Sequence, residues 1–241
     1  MKARVTLLGD GGVEPSLLSE ILEAACLPPG HVGLLVGDAS LSGEFQAVTV
    51  ARALIPRNAG VYGLVEHRKI DWECGIIVGP TWAARQQAFP AYFAYLLGHE
   101  AGHATTVLTD LQMVIFENLV LDGIKQASQG SVTRYDQLPY EVRYDQFGIA
   151  VAESVYPRTQ LDDELRTIVK DGLTDDESRL GKVLELPARH DLDGLREELA
   201  KFCLPYRQKL VHQWETRRAA GGLKVAAGVT DLNSLWTGWD L

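Results

Sequence analysis

Ala91-Tyr92-Phe93-Ala94-Tyr95-Leu96-Leu97-Gly98-His99-Glu100-Ala101-Gly102-His103-Ala104 is the stretch from which the rest of this 241-residue chain is read. It contains no breaker, its apolar groups recur at helical spacing, and Pro90 stands ahead of it where a helix start tolerates proline. On such a helix His99 and His103, at i and i+4, share one face with Cβ atoms about 5–6 Å apart. Two imidazoles so placed reach one metal ion at Zn–N distances of roughly 2.0–2.1 Å. Glu100 flanks the pair, where a carboxylate serves as general base towards a metal-activated water. The small residues Ala101, Gly102 and Ala104 let a second element approach this helix closely.

A catalytic zinc takes three protein ligands and keeps one position open. Downstream, Leu138-Pro139-Tyr140-Glu141-Val142-Arg143-Tyr144-Asp145-Gln146-Phe147-Gly148-Ile149-Ala150 reads as a second helix beginning at Pro139. Glu141 and Asp145 share a face at i and i+4, so Glu141 can ligate the metal while Asp145 accepts the far N–H of a ligand histidine. Glu117, Asp122 and Asp145 itself are the other carboxylates open to the third-ligand role. Gly148, one turn on, allows this helix to pack tightly against the small residues of the first.

His-Glu-x-x-His followed by Glu-x-x-x-Asp-x-Phe-Gly resembles the gluzincin metallopeptidases, in particular the soluble cores of HtpX-type and ImmA/IrrE-type peptidases. The likeness covers residues 98–104 and 139–150. It implies a zincin-like core, a Zn2+ cofactor and hydrolysis of peptide bonds in a peptide or protein substrate. Carried over residue by residue, it makes His99, His103 and Glu141 the metal ligands, Glu100 the base and Asp145 the carboxylate behind a ligand histidine. Tyr144 stands where these families usually have a small residue. The string His-Glu-Ala-Gly-His-Ala also resembles the peptidase motif of membrane AAA proteases such as FtsH, but no Walker A sequence accompanies it. A catalytically inactive binding or regulatory protein is the alternative, against which the intact Glu100 speaks.

Zincins commonly add a peptide substrate to an edge strand above the motif helix, and Cys74-Gly75-Ile76-Ile77-Val78-Gly79 is the natural segment for that edge, although a buried central strand would read the same. A second donor for the oxyanion is to be sought among Tyr135, Tyr140, Tyr144, Tyr156, His190 and His212. For His31 and His67, in the strand region, a structural role is expected.

The bulk numbers bound the class. Hydrophobic residues make up 46% and charged residues 23%, an ordinary globular balance. A net charge of −9 opposes binding to nucleic acid, and no basic stripe with interleaved aromatics is present. Cys26, Cys74 and Cys203 are widely separated and form no CxxC, which argues against a disulfide framework and against a thiolate zinc site. Free thiols suit a reducing compartment. The apolar run Val5-Thr6-Leu7-Leu8 is too short for a signal peptide, and no window reaches 18 uninterrupted apolar residues. The expectation is a soluble cytoplasmic protein with neither membrane nor nucleic-acid partner.

Strands are expected at 4–9, 31–38, 60–66 and 74–78, and helices at 16–26 and 44–54, the latter from the spacing of Phe45, Val48 and Ala51. From Thr81 the pattern is helical, with segments at 81–88, 91–107, 109–127, 138–155, 160–171, 174–185 and 192–219, the last bent at Pro205. The fold expected is α+β: a minimal zincin-like core with a small N-terminal mixed β-sheet and a mostly helical C-terminal half. Residues 1–157 would form the metallopeptidase core and 158–241 a helical extension packed on it or continuous with it. Trp236 and Trp239 read as anchors docking the tail onto its own domain.

Overall fold

The computed structural model describes residues 2–37, 46–51, 72–109, 139–174 and 177–191. Two short apolar segments, His31–Val36 (β2) and Cys74–Val78 (β4), form the centre of a four-stranded sheet. Both are buried over almost their whole length, as parallel strands covered on two faces are. Arg4–Gly9 (β1) pairs with β2 in parallel, and β2 pairs with β4 in parallel, Leu34 lying opposite Ile76. Ala47–Ala51 (β3) runs antiparallel to β4, with Thr49 opposite Ile76, so the strand order is β1-β2-β4-β3. Helix Pro15–Ala24 (α1) connects β1 to β2 and buries Leu18, Ile21 and Leu22.

Two expectations are corrected here. Within the segment expected as a helix at 44–54, the described residues 46–51 contain β3 instead. Three consecutive β-branched residues, Val48, Thr49 and Val50, stiffen the chain towards the extended state, and pairing with β4 outweighs the coincidental spacing of Phe45, Val48 and Ala51. Nor is Cys74–Val78 an edge. It is paired on both sides, by β2 and β3, which closes it to an added strand. Among the described residues the outer strand on that side is β3.

Among the described residues, five further helices follow: Pro80–Arg85 (α2), Pro90–Thr109 (α3), Pro139–Val155 (α4), Arg158–Lys170 (α5) and Glu177–Val183 (α6). Every residue from Ala91 to Gly102 of α3 is buried, because the helix is packed by the sheet, α1, α4 and α5. Its approach to α4 depends on three glycines. A Cβ at Gly98 would stand 2.7 Å from Val151 Cβ, one at Gly102 2.9 Å from Tyr144 Cδ1, and one at Gly148 2.7 Å from the Tyr95 carbonyl oxygen. The small residues thus bring the two motif helices into backbone contact, as their spacing predicts.

The C-terminal helices extend the same core. Leu161, Leu165 and Ile168 of α5 and Leu180 and Val183 of α6 join it. Arg158 donates from Nη1 to the Leu186 carbonyl at 3.2 Å and from Nη2 to the Leu184 carbonyl at 3.1 Å, tying the chain beyond α6 to the start of α5. No described helix is long and apolar enough to cross a membrane. Cys26 and Cys74 are free thiols. The expected strand at 60–66, the expected helices at 109–127 and 192–219, Cys203 and the tryptophan-bearing tail lie outside the described residues.

Candidate metal centre

The helical repeat of α3 brings the rings of His99 and His103 to 4.9 Å between centroids, with their Nε2 atoms 3.1 Å apart. Across the tight α3–α4 contact, the first turn of α4 supplies Glu141. Its Oε2 lies 3.4 Å from His99 Nε2 and 3.6 Å from His103 Nε2. Ligand atoms of the three residues all fall within 4.8 Å of one another. Glu141 is fully buried, and neither of its carboxylate oxygens has a hydrogen-bond partner. A buried carboxylate left without donors is costly unless something else neutralises it. Burial alone would push the Glu141 carboxyl up. His103 and the contacts with both imidazoles outweigh this and hold it well below the usual carboxylate range.

Whether a metal fits can be judged from this triangle. Tetrahedral ligands at roughly 2.0–2.1 Å from one zinc stand about 3.3 Å apart. The three edges here are 3.1, 3.4 and 3.6 Å. Donor type, orphaned carboxylate and spacing therefore all fit a metal ion. His103, with 18% of its side chain exposed against 5% for His99 and 1% for Glu141, is the ligand nearest solvent.

Asp145, one turn beyond Glu141, places Oδ1 2.9 Å from His99 Nδ1. The same oxygen accepts the Tyr95 hydroxyl at 2.5 Å and Arg179 Nη2 at 2.7 Å. Burial would raise the Asp145 carboxyl, but Arg179 and His99 together lower it. Burial and Arg179 both act against a charged His99, yet Asp145 and Glu141 prevail and raise its imidazole to about 9.

Glu100 occupies the other flank of α3. It is buried, and its Oε2 accepts the hydroxyl of Thr49 at 2.7 Å, with the Glu100 carbonyl oxygen 2.9 Å from the same hydroxyl. Thr49 belongs to β3, so that strand directly holds the carboxylate next in sequence to His99.

Of the oxyanion-donor candidates, Tyr144 is fully buried, its ring centroid 3.9 Å from that of His103 and its hydroxyl 2.8 Å from Thr106 Oγ1. It thus buttresses a ligand, filling the space Gly102 leaves open. His190 packs its ring against Phe147 at 6.4 Å. The Tyr156 hydroxyl is pushed up by burial, then by Glu20 and Glu164, carboxylates that lie outside the His–His–Glu cluster. His31 bonds Thr6 across β1 and β2 at 2.7 Å, a structural role. Glu117, Asp122, Tyr135, His67, His212 and the side chain of Tyr140 lie outside the described residues.

Sequence reasoning missed Thr49, Arg179 and Tyr95. Tyr95 was within reach, since it precedes His99 by one helical turn on the same face. Thr49 was hidden by the misreading of β3, and nothing local marks Arg179 among the arginines of the chain.

No family profile, no curated protein and no solved structure matches this chain. Its functional reading rests on a buried His99–His103–Glu141 group able to hold a metal ion.

Proposed function

We propose that this protein is a zinc-dependent metallopeptidase that hydrolyses peptide bonds with Glu100 as general base. The observation that carries the reading is the set of three ligand atoms separated by 3.1, 3.4 and 3.6 Å around a carboxylate that has no other partner. Two imidazoles and a glutamate are the donor set of hydrolytic zinc sites. His99, His103 and Glu141 would hold the zinc ion, which when bound would supply Lewis acidity to a scissile carbonyl and acidity to a water.

The chain's own groups supply the rest. Asp145 accepts the Nδ1–H of His99, which fixes the tautomer and leaves the Nε2 lone pair for the shared site. Glu100, oriented by Thr49, takes a proton from the attacking water and passes it to the leaving amine. The unpaired side of β3 among the described residues is the edge alongside which an extended peptide can add. A substrate bound there lies on the strand that orients the base. The free thiols suit a reducing compartment such as the cytoplasm, and the acidic balance suits a peptide rather than a nucleic-acid partner.

The test is cleavage of a fluorogenic peptide library by the purified chain. Hydrolysis is expected to stop on chelation and return with zinc. Glu100→Gln should lower it by roughly 10²–10⁴ while retaining the metal. A zinc-loaded wild type that cleaves nothing would contradict the peptidase reading and favour a metal-binding module without turnover.

A further inference from the structure

We propose that Arg179 is a positioning residue of the metal site: through Asp145 it holds the His99 imidazole so that Nε2 faces His103 and Glu141. The inference rests on the metal-site reading above and assigns a task to α6, which carries no part of either motif.

Arg179 projects from α6, which Leu180 and Val183, both C-terminal to it, anchor in the core. Its Nη2 donates to Asp145 Oδ1 at 2.7 Å, and that oxygen in turn stands 2.9 Å from His99 Nδ1. Nη2 is also 3.2 Å from His99 Nδ1 and 3.3 Å from Nε2. Near-equal distances place it beside the ring, between the two nitrogens, rather than on one lone pair. The guanidinium therefore limits both the carboxylate that orients the imidazole and the ring itself. It stands 4.0 Å from Glu141 Oε2, close enough to offset the second buried carboxylate of the cluster.

Charge and shape make the contact hard to replace. Asp145 and Glu141 are both buried, and among the described residues Arg179 is the permanently charged cation in contact with both. Without it, Asp145 retains, among the described residues, the Tyr95 hydroxyl and His99 within hydrogen-bond reach. The planar fork of arginine can meet a carboxylate with one nitrogen while lying along a ring, whereas lysine offers a point charge on a flexible stem. A simpler role, in which the ion pair only pins α6 to α4, predicts a loss of stability without a specific loss of metal affinity.

Zinc affinity, read by competition with a chromophoric chelator, separates the two. Wild type, Arg179→Gln, Arg179→Lys, Asp145→Ala and the Asp145→Ala/Arg179→Gln double variant would be compared, with thermal melting as a check on folding. Removing an outer partner of a metal ligand typically costs 10–100-fold in affinity, and Arg179→Gln is expected to lose about that much. Because Arg179 and Asp145 act on the same imidazole as one unit, the double variant should lose clearly less affinity than the product of the two single losses. Arg179→Lys, which keeps a cation at Asp145, should recover at least a few-fold of the loss and carries the test if the glutamine variant does not fold.

Wild-type affinity in Arg179→Gln, multiplication of the two single losses in the double variant, or a lysine no better than glutamine would each overturn the inference alone. A wild type that binds no zinc overturns the metal-site reading and this inference with it.

Discussion

The two flanks of α3 treat their carboxylates differently. Towards β3, Glu100 is satisfied inside the chain, its Oε2 accepting the Thr49 hydroxyl at 2.7 Å. Towards α4, Glu141 is more deeply buried yet has no hydrogen-bond donor on either oxygen, only two imidazole nitrogens at 3.4 and 3.6 Å. Folding satisfies its buried polar groups wherever it can, so the unsatisfied one marks where a ligand belongs. On the proposed reading this difference divides the labour: the α4 side would hold the metal, and the β3 side would hold the group that moves the proton. Changes on the first side should move metal affinity, and changes on the second should move turnover alone.

The largest expected effect concerns protons on the α4 side. His99 is raised to about 9 from an ordinary 6.5, so in the metal-free protein it carries a proton through that window. A metal binds the neutral imidazole, and the proton must leave. Zinc affinity should therefore climb as pH rises from 6.5 towards 9, by up to roughly tenfold per unit, and flatten above it. The same proton stabilises the metal-free fold: that contribution is complete below 6.5 and is lost as pH rises through about 9. Competition titrations across this range would break the account if affinity were flat.

A second, smaller effect probes the seam that sets both helices. In Gly148→Ala the new Cβ would lie 2.7 Å from the Tyr95 carbonyl oxygen and 2.9 Å from the His99 amide nitrogen. Backbone cannot yield as a side-chain tip can, so the variant should lose about 1–3 kcal/mol in chemical denaturation. An unchanged midpoint would show that α3 and α4 are not in the contact described.

The smallest effect is on the β3 side. Thr49→Val removes the donor to Glu100 while nearly keeping the shape. Its kcat should fall roughly tenfold, the worth of about 1.4 kcal/mol from one hydrogen bond to a charged group. Zinc affinity should not change. A loss of zinc in Thr49→Val would erase the division between the two flanks.

What was legible in the sequence follows the same division. His99, His103, Glu141 and Asp145 lie in two helices whose ligand spacing is local, so the four-residue repeat alone brings each pair onto one face. Gly102 and Gly148 announced the close approach, and the apolar runs of β2 and β4 announced strands. The supports were not legible, because their partners are distant: Thr49 lies 51 residues from Glu100 and Arg179 lies 80 from His99. For β3, three residues at helical spacing concealed a β-branched run whose state is decided by β4. For β4, a run apolar on both faces could not say which strands flank it, since an edge and a centre read alike until the neighbours are known.

The most direct test of the central claim is the zinc content of the chain purified without added metal, beside Glu141→Ala and Glu100→Gln. The account predicts about one zinc per chain in wild type, the same in Glu100→Gln, and little or none in Glu141→Ala. No zinc in wild type even after it is supplied, or equal loss from the two glutamate variants, would contradict it.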